Sequence, residues 1–322
     1  METIPLVKKS YSVAEQFALA VDPRASIAGF EPGHPAAPVI NPGYVFRPEY
    51  LRDMLAFWQG SDNALVIVGD PATGKTSIVE QFHARLAWPL YKVPCSPSTE
   101  SRELIGQLQP HLDGSLKWVD GPVLRAAREG TSVLLDEYNT MDPGEATGLN
   151  LLLEGYSITI ASTGEIVTPA PLFKVFATEN PVNSRLAIAG RNVQDAANDD
   201  RFMIMFADYL PSAQEIKVVA GELVKTGVNA DVADMLATQV VGIANKVRTA
   251  YRNDDGVIVK PMSTRVAIRW AKLVRRFAKA PHPEGPMVYA LLRAFRMDDE
   301  MTAAVIAFTK ASLGTGASNG NP

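Results

Sequence analysis

Residues 69–76 read Gly-Asp-Pro-Ala-Thr-Gly-Lys-Thr, and this stretch decides how the rest of the sequence is interpreted. It follows the apolar run Ala64–Val68, which is typical of a buried strand, and precedes a predicted helix over Ser77–Ala87. The stretch matches G-x-x-x-x-G-K-[ST], in which glycines let backbone N–H groups turn inward around a phosphate. A plain glycine turn is the alternative interpretation, but the strand–loop–helix context favours a phosphate-binding loop.

A phosphate-binding loop of this pattern predicts a site for ATP and Mg²⁺. Lys75 is expected to reach the β- and γ-phosphates, and the Thr76 hydroxyl is expected to ligate Mg²⁺. The helix that begins at the loop adds the positive end of its dipole. The predicted nucleotide contacts are Gly69, Asp70, Pro71, Ala72, Thr73, Gly74, Lys75, Thr76 and Ser77.

Acidic and amide side chains follow two further apolar runs. Asp136 and Glu137 come directly after Ser-Val-Leu-Leu. At a strand tip, Asp136 can hold the Mg²⁺ shell and Glu137 can polarise the attacking water. An acidic pair is usually a solvated strand end, but the phosphate loop in the same sheet favours the catalytic interpretation. Asn180 follows the run Leu172–Ala177 and can position the water, with a turn-forming role before Pro181 as the alternative.

Strand and helix signals alternate from residue 64 to residue 177, and the strand signals stop after Pro211. The alternation predicts an α/β fold, with a mostly parallel sheet flanked by helices. Further strands are predicted at Leu90–Val93 and, as a β-hairpin, at 157–160 and 165–168. The helices predicted after Pro211 are Ser212–Val224, Ala230–Arg252, Ser263–Ala280 and Met287–Ser312.

The chain is expected to divide into segments with different roles. Residues 1–48 are predicted to form a short helix over Ser10–Val21 followed by a proline-rich arm. A helix over Pro48–Gln59 opens an α/β nucleotide-binding domain that ends at residue 209. An all-helical domain covers 210–312, and the composition of 313–322 predicts a disordered tail.

Composition excludes several classes of protein. The net charge of −4 gives no sign of a polyanion partner, and the single cysteine rules out an intramolecular disulfide. No apolar run approaches the roughly 20 residues that span a bilayer, and the N-terminus lacks a signal-peptide pattern. The four histidines are scattered, so no transition-metal site is expected. We therefore expect a cytoplasmic protein with no membrane contact.

The motifs resemble those of the AAA+ superfamily and, within it, the MoxR branch. Phe173-Lys-Val-Phe-Ala-Thr-Glu-Asn-Pro181 resembles the sensor-1 strand, and the hairpin at 157–168 resembles the pre-sensor-1 hairpin. Asp200-Arg201-Phe202 resembles the arginine-finger segment, and Met262-Ser-Thr-Arg265 resembles the start of the sensor-2 helix. The resemblance implies a P-loop AAA+ sheet with an all-helical lid, assembled with like subunits into a hexameric ring.

The same resemblance implies roles for two arginines. Arg201 would act in trans on the γ-phosphate of the neighbouring subunit, and Arg265 would reach the phosphates from the lid. A surface salt bridge with Asp199 or Asp200 is the alternative for Arg201. Arg185 and Arg191 stay open as rival candidates for the finger.

Ordered blocks along nearly the whole chain resemble the CobS-type ATPase subunits of aerobic cobaltochelatases. They include Asn41-Pro-Gly-Tyr-Val-Phe46, through which Val45 and Phe46 join the expected nucleotide contacts, and Tyr209-Leu-Pro211. Two functions follow from this resemblance: remodelling of an unidentified client with a von Willebrand A-domain partner, or the motor subunit of the chelatase itself. A nucleic-acid motor is a third possibility that rests only on a basic helix face, and such a face is more often simply solvated. That face carries Arg265, Arg269, Lys272 and Arg276.

Overall fold

The fold of residues 6–112, 114–181, 200–253, 256–279 and 282–314 is given by a computed structural model. These described residues fall into two compact units. The first unit comprises the chain up to Gly69 together with Gly74–Ala207, and the second comprises Asp70–Thr73 together with the chain from Asp208 onward. The domain boundary predicted from the sequence, between residues 209 and 210, lies close to the division between Ala207 and Asp208.

The first unit contains eleven strands and seven α-helices among the described residues. The strands are β1 (Lys8–Ser12), β2 (Ser26–Phe30), β3 (Ala64–Gly69), β4 (Leu90–Pro94), β5 (Gly106–Pro110), β6 (Leu116–Asp120), β7 (Ser132–Asp136), β8 (Ile158–Thr159), β9 (Ile166–Val167), β10 (Lys174–Glu179) and β11 (Met203–Ala207). The helices are α1 (Val13–Phe17), α2 (Pro48–Gln59), α3 (Lys75–Arg85), α4 (Ser101–Ile105), α5 (Pro122–Glu129), α6 (Pro143–Thr147) and α7 (Asn150–Leu153).

A five-stranded, fully parallel sheet forms the centre of this unit, in the order β11-β3-β10-β7-β4. Alternate residues of β3 face opposite sides, so Ala64 joins the core on one face and Leu65 the core on the other. Because β3 lies between the last two strands, the order reverses there, and ligands of open α/β sheets bind beyond the carboxyl ends at such a point. The α/β prediction is confirmed, and the sheet brings Lys75, Asp136 and Asn180 together at the carboxyl ends of its strands.

The predicted N-terminal helix over Ser10–Val21 is wrong. Residues 8–12 form β1, which pairs with β2 in antiparallel register, and only Val13–Phe17 is helical. The Ser12 hydroxyl accepts a hydrogen bond from Glu15 N and caps the short helix. Phe17 stacks on Phe82 of α3, with ring centroids 5.2 Å apart. The segment therefore packs on the sheet core, and the proline-rich stretch after β2 lacks regular structure.

Two β-hairpins project from the first unit. The predicted hairpin is confirmed as β8 and β9, although each strand has only two residues, with Ile158 opposite Val167. The longer hairpin of β5 and β6 was not predicted. Strand β11, an edge strand whose Ile204 and Phe206 are exposed, was also not predicted.

The second unit is helical, as predicted. It contains α8 (Ser212–Val224), α9 (Ala230–Arg252), α10 (Thr264–Arg276), α11 (Gly285–Ala294) and α12 (Asp299–Gly314). The single helix predicted over Met287–Ser312 is wrong, because the chain is extended at Phe295 and Asp298 Oδ1 accepts a hydrogen bond from Met301 N to start α12. Residues 313 and 314 are helical, contrary to the predicted tail, and 315–322 lie outside the described residues.

A buried ion pair joins three helices of the second unit. Glu215 of α8 is fully buried and accepts two hydrogen bonds from the guanidinium of Arg248 in α9, at 2.7 and 2.8 Å. The Thr264 hydroxyl at the start of α10 donates to the same carboxylate at 2.7 Å. This network fixes the helix turn that carries Arg265. No helix in the described part of the chain is both long and apolar enough to cross a membrane.

Candidate functional site

The phosphate loop between β3 and α3 depends on two glycines. A Cβ on Gly69 would lie 2.1 Å from the carbonyl oxygen of Ala207, so only glycine fits beside β11. Gly74 has a φ of 94°, a left-handed conformation that favours glycine. The glycines of the motif are thus required by this backbone, which leads directly into the N-terminus of α3.

Lys75 is the first residue of α3, and its side chain is buried against the loop. It is only 7% exposed. Its Nζ donates to the carbonyl oxygen of Gly69 at 2.7 Å and to Oδ1 of Asn180 at 3.0 Å. A cation held beside a helix N-terminus is suited to phosphate, since the ammonium and the helix dipole attract the same anion.

The Mg²⁺ residues predicted from the sequence are in direct contact. Asp136, at the end of β7, accepts a hydrogen bond on Oδ1 from the Thr76 hydroxyl at 2.9 Å. A second hydroxyl, that of Thr178 in β10, donates to the same oxygen at 2.5 Å. Carboxylate and hydroxyl oxygens are the donors that Mg²⁺ takes in nucleotide sites, so this set fits the ion. Thr178 was not predicted, because a threonine within a strand is too common to indicate a role.

Glu137 directly follows β7, and its backbone adopts a left-handed conformation, with φ 59° and ψ 44°. Such a backbone is unfavourable for a residue with a Cβ and is found where the surroundings enforce it, often at functional sites. Its N–H donates to the Thr178 hydroxyl at 3.0 Å. Its side chain is exposed, and its predicted role towards the attacking water stays a prediction.

Asn180 lies between the lysine and the glutamate. While its Oδ1 accepts from Lys75, its Nδ2 lies 3.4 Å from Glu137 Oε1. The buried Asn139 donates from its Nδ2 to the backbone carbonyl of Asn180 at 2.8 Å and holds the strand end in place. The structure therefore brings together the predicted residues of three strand tips, and Asn139 is a supporting residue that sequence reasoning missed. That Asn180 positions water stays a prediction.

Cys95 follows β4 at the same edge, and its N–H donates to the carbonyl of Asp136 at 2.8 Å. Burial, together with the charges of Asp136 and Glu137, raises the pKa of the Cys95 thiol to about 12. The thiol is therefore protonated at neutral pH and does not act as a nucleophile.

Arg201 lies at the opposite end of the strands, just before the amino end of β11. Its Nε donates to Glu154 Oε1 at 2.5 Å, in a depression that is also lined by residues 61–63. Those residues precede β3, whereas Lys75 follows it, and a strand of this length spans roughly 17 Å. Arg201 thus forms a salt bridge with Glu154, while Asp199, Arg185 and Arg191 lie outside the described residues.

Three further site residues were predicted from the family resemblance: Val45, Phe46 and Arg265. Val45 is exposed, and Phe46 packs edge-on against Phe17 with centroids 5.3 Å apart, so their contact with nucleotide stays a prediction. Arg265 is exposed on α10 in the second unit, and its role also stays a prediction. On the basic face of that helix, Lys272 pairs with Glu222 at 2.7 Å.

Comparison with known proteins assigns the chain to a family. A model of the AAA domain (dynein-related subfamily) matches residues 64–202, and a CbbQ/NirQ/NorQ C-terminal model matches residues 215–312. The denitrification regulatory protein NirQ of Stutzerimonas stutzeri is 32% identical over 76% of this chain and 82% of its own length. The chain belongs to the MoxR family of AAA+ ATPases.

Two more relatives are similar to this MoxR-family ATPase over most of its length. Protein NorQ of Paracoccus denitrificans is 30% identical over 73% of the chain and 83% of its own length. The aerobic cobaltochelatase subunit CobS of a Sinorhizobium species is 26% identical over 92% of the chain and 88% of its own length. The MoxR-family protein is accordingly a nucleotide-binding ATP hydrolase, and AAA+ proteins of this kind are generally oligomeric.

Proposed function

We propose that this MoxR-family ATPase forms a homo-oligomeric ring, hexameric in its complete form, and hydrolyses Mg-ATP to remodel or activate a partner protein complex. The observation that carries the proposal is the separation of the site residues within one subunit. Lys75, Asp136 and Asn180 meet at the carboxyl edge of the sheet, whereas Arg201 lies at the amino edge. A second copy that presents its amino edge would complete the site.

In this proposal the residues at the strand tips have separate roles in ATP hydrolysis. Thr76 and Asp136 would hold Mg²⁺, which neutralises charge on the phosphates when bound. Glu137 accepts a proton from the attacking water, whose oxygen bonds to the γ-phosphorus as the bond to the leaving ADP oxygen breaks. Lys75 binds the β- and γ-phosphate oxygens, and the neighbour's Arg201 stabilises the charge that develops on the γ-phosphoryl group.

Contacts within the second unit give this ATPase a route from nucleotide to mechanical change. The loop segment 70–73 clusters with the helices, because Tyr209 Oη donates to the carbonyl of Pro71 at 3.2 Å and Arg252 lies 3.8 Å from the carboxylate of Asp70. Burial and the charge of Asp70 raise the pKa of Tyr209, which stays a neutral donor. A change at the phosphates that moves this loop segment would therefore also change its contacts with Tyr209 and Arg252.

Capture of the partner tests the proposed function. A tagged Glu137→Gln protein, expressed in the native host, should retain ATP and co-purify a von Willebrand A-domain protein when Mg-ATP is present. The Lys75→Ala protein is the matched control, because it lacks the charge that holds the phosphates and should recover little of that partner. Mass spectrometry of both eluates decides the outcome. Equal recovery by the two baits, or recovery of nucleic acid alone, would contradict the proposal.

The second candidate function is the motor subunit of an aerobic cobaltochelatase. It is supported by the extent of the match to CobS, which covers 92% of this chain. It is opposed by the higher identity to NirQ and NorQ, at 32% and 30%. In either case the metal and tetrapyrrole would be held by another protein, since the described residues form no cluster of His, Cys, Asp and Glu that could hold a metal ion.

Complementation separates the two candidates. We expect that this chain, expressed in a strain that lacks only its own chelatase ATPase subunit, will not restore cobalamin synthesis, because its relationship to NirQ and NorQ favours a different client. The measurement is growth without added cobalamin, with the strain's own subunit as the positive control. Restored growth would reverse the order of the two candidates.

A further inference from the structure

We infer that the hydroxyl of Thr178 is a positioning group for both acids of the site, fixing the carboxylate of Asp136 and the backbone of Glu137 at once. The inference rests on the proposed use of Mg-ATP at this site. It adds a residue to the machinery that neither the motif pattern nor the family comparison points out.

The geometry places a single oxygen between the two acids. Thr178 Oγ1 donates to Asp136 Oδ1 at 2.5 Å and accepts from Glu137 N at 3.0 Å. The residue is 1% exposed, so no solvent competes for either bond. The Thr178 hydroxyl therefore donates a hydrogen bond to Asp136, which is predicted to hold Mg²⁺. It accepts one from the N–H of Glu137, which is predicted to act as the base.

Each of the two bonds restricts the motion of one acid: the first restricts the Asp136 carboxylate, and the second restricts the Glu137 backbone. Asp136 Oδ1 also accepts from the Thr76 hydroxyl at 2.9 Å, and the bond from Thr178 fixes the rotation of the carboxylate that faces it. Glu137 has a left-handed φ of 59°, and the bond from its N–H to Thr178 holds that conformation. Partners of this kind orient the groups that bind a metal, and their removal typically costs ~10–100-fold in metal affinity or activity.

A second buried threonine next to the sheet offers a comparison, because its hydroxyl makes no hydrogen bond among the described residues. Thr131 lies just before β7, at the opposite end of the strand from Asp136, and is fully buried. Within the described part of the chain, no partner lies within hydrogen-bond distance of its hydroxyl. Replacing each threonine by valine removes a buried hydroxyl, so Thr131→Val is a matched control for Thr178→Val.

The experiment measures the affinity for a fluorescent ADP with and without Mg²⁺, and separately the rate of phosphate release at saturating Mg-ATP. In Thr178→Val, the gain in affinity produced by Mg²⁺ should fall ~10–100-fold and hydrolysis should slow by a similar factor. Thr178→Ser, which keeps the hydroxyl, should resemble the wild type in both readouts. Thr131→Val should also match the wild type.

The outcomes distinguish this inference from the proposed function. A wild-type protein whose ADP affinity did not respond to Mg²⁺ would contradict the proposed function itself. A normal response in the wild type that persists in folded Thr178→Val would overturn the inference alone. If Thr178→Val does not fold, as judged by thermal unfolding without nucleotide, Thr178→Ser still decides, because loss of the Mg²⁺ response in folded serine protein also overturns it.

Discussion

The Glu137→Gln protein should bind ATP with near wild-type affinity and hydrolyse it ~10²–10⁴-fold more slowly. Glutamine keeps the size and polarity of the side chain but cannot accept the proton of the attacking water. Binding should persist because the contacts expected for the phosphates are made by Lys75 and the loop, whereas the Glu137 side chain is exposed. Isothermal titration with ATP gives the affinity, and phosphate release gives the rate.

The control for this substitution is Glu284→Gln, which changes an equally charged residue of the second unit that pairs with Lys310 at 2.8 Å. It should leave both readouts unchanged. Wild-type turnover by Glu137→Gln would show that another group takes the proton. Loss of ATP binding in the same protein would instead show that Glu137 shapes the site.

The Arg201→Ala protein should also bind ATP almost normally, and its hydrolysis should fall ~10³–10⁵-fold. Binding is retained because Arg201 lies at the amino edge of the sheet, away from the loop of its own subunit. Hydrolysis falls because the γ-phosphoryl group of the neighbour loses the guanidinium that would stabilise its developing charge. Arg201→Lys should recover only part of the rate, since an ammonium cannot reproduce the planar fork of a guanidinium.

The control for Arg201 is Arg128→Ala, which removes an arginine of the same unit that pairs with Glu165 at 2.6 Å. Its ATPase rate, measured by phosphate release at saturating ATP, should match that of the wild type. Equal losses in Arg201→Ala and Arg128→Ala would point to general damage to the fold, and wild-type activity in Arg201→Ala would remove it from the mechanism.

The sequence was sufficient for those parts of the site that depend on local pattern. Gly69, Gly74 and Lys75 belong to one short motif whose glycines are required by the backbone, and the motif can be recognised without knowing the fold. Asp136 and Asn180 each follow an apolar run, so their place at strand tips could be predicted. Their meeting at one edge follows from parallel strands, which the alternating pattern also predicted.

The supporting residues could not be predicted, because their contacts cross the sheet. Thr178 bonds with the N–H of Glu137 across 41 positions of sequence, and Asn139 reaches Asn180 across the same separation. Neither residue type stands out: threonine is common in strands, and asparagine in turns. Only the register of β10 beside β7 shows that these side chains lie next to the acids.

Element boundaries failed where tertiary pairing competes with local pattern. The stretch Lys8–Ser12 pairs with β2 instead of joining the helix that its neighbours suggest. The apolar pattern continues through Phe295–Asp298, and neither proline nor glycine interrupts it, so the break before α12 had Asp298 as its only signal. For Arg201 the sequence could name the residue but not the edge of the sheet on which it lies.

Mixing two inactive proteins tests most directly the central claim that each site is completed by a second subunit. A site in an Arg201→Ala subunit retains Glu137, and a Glu137→Gln neighbour can supply Arg201 to it. Phosphate release, measured while the two proteins are titrated against each other under conditions where subunits are shown to exchange, should rise from near zero to a maximum in the mixture and fall again. Turnover that stays at the level of the inactive parents at every ratio would contradict the claim.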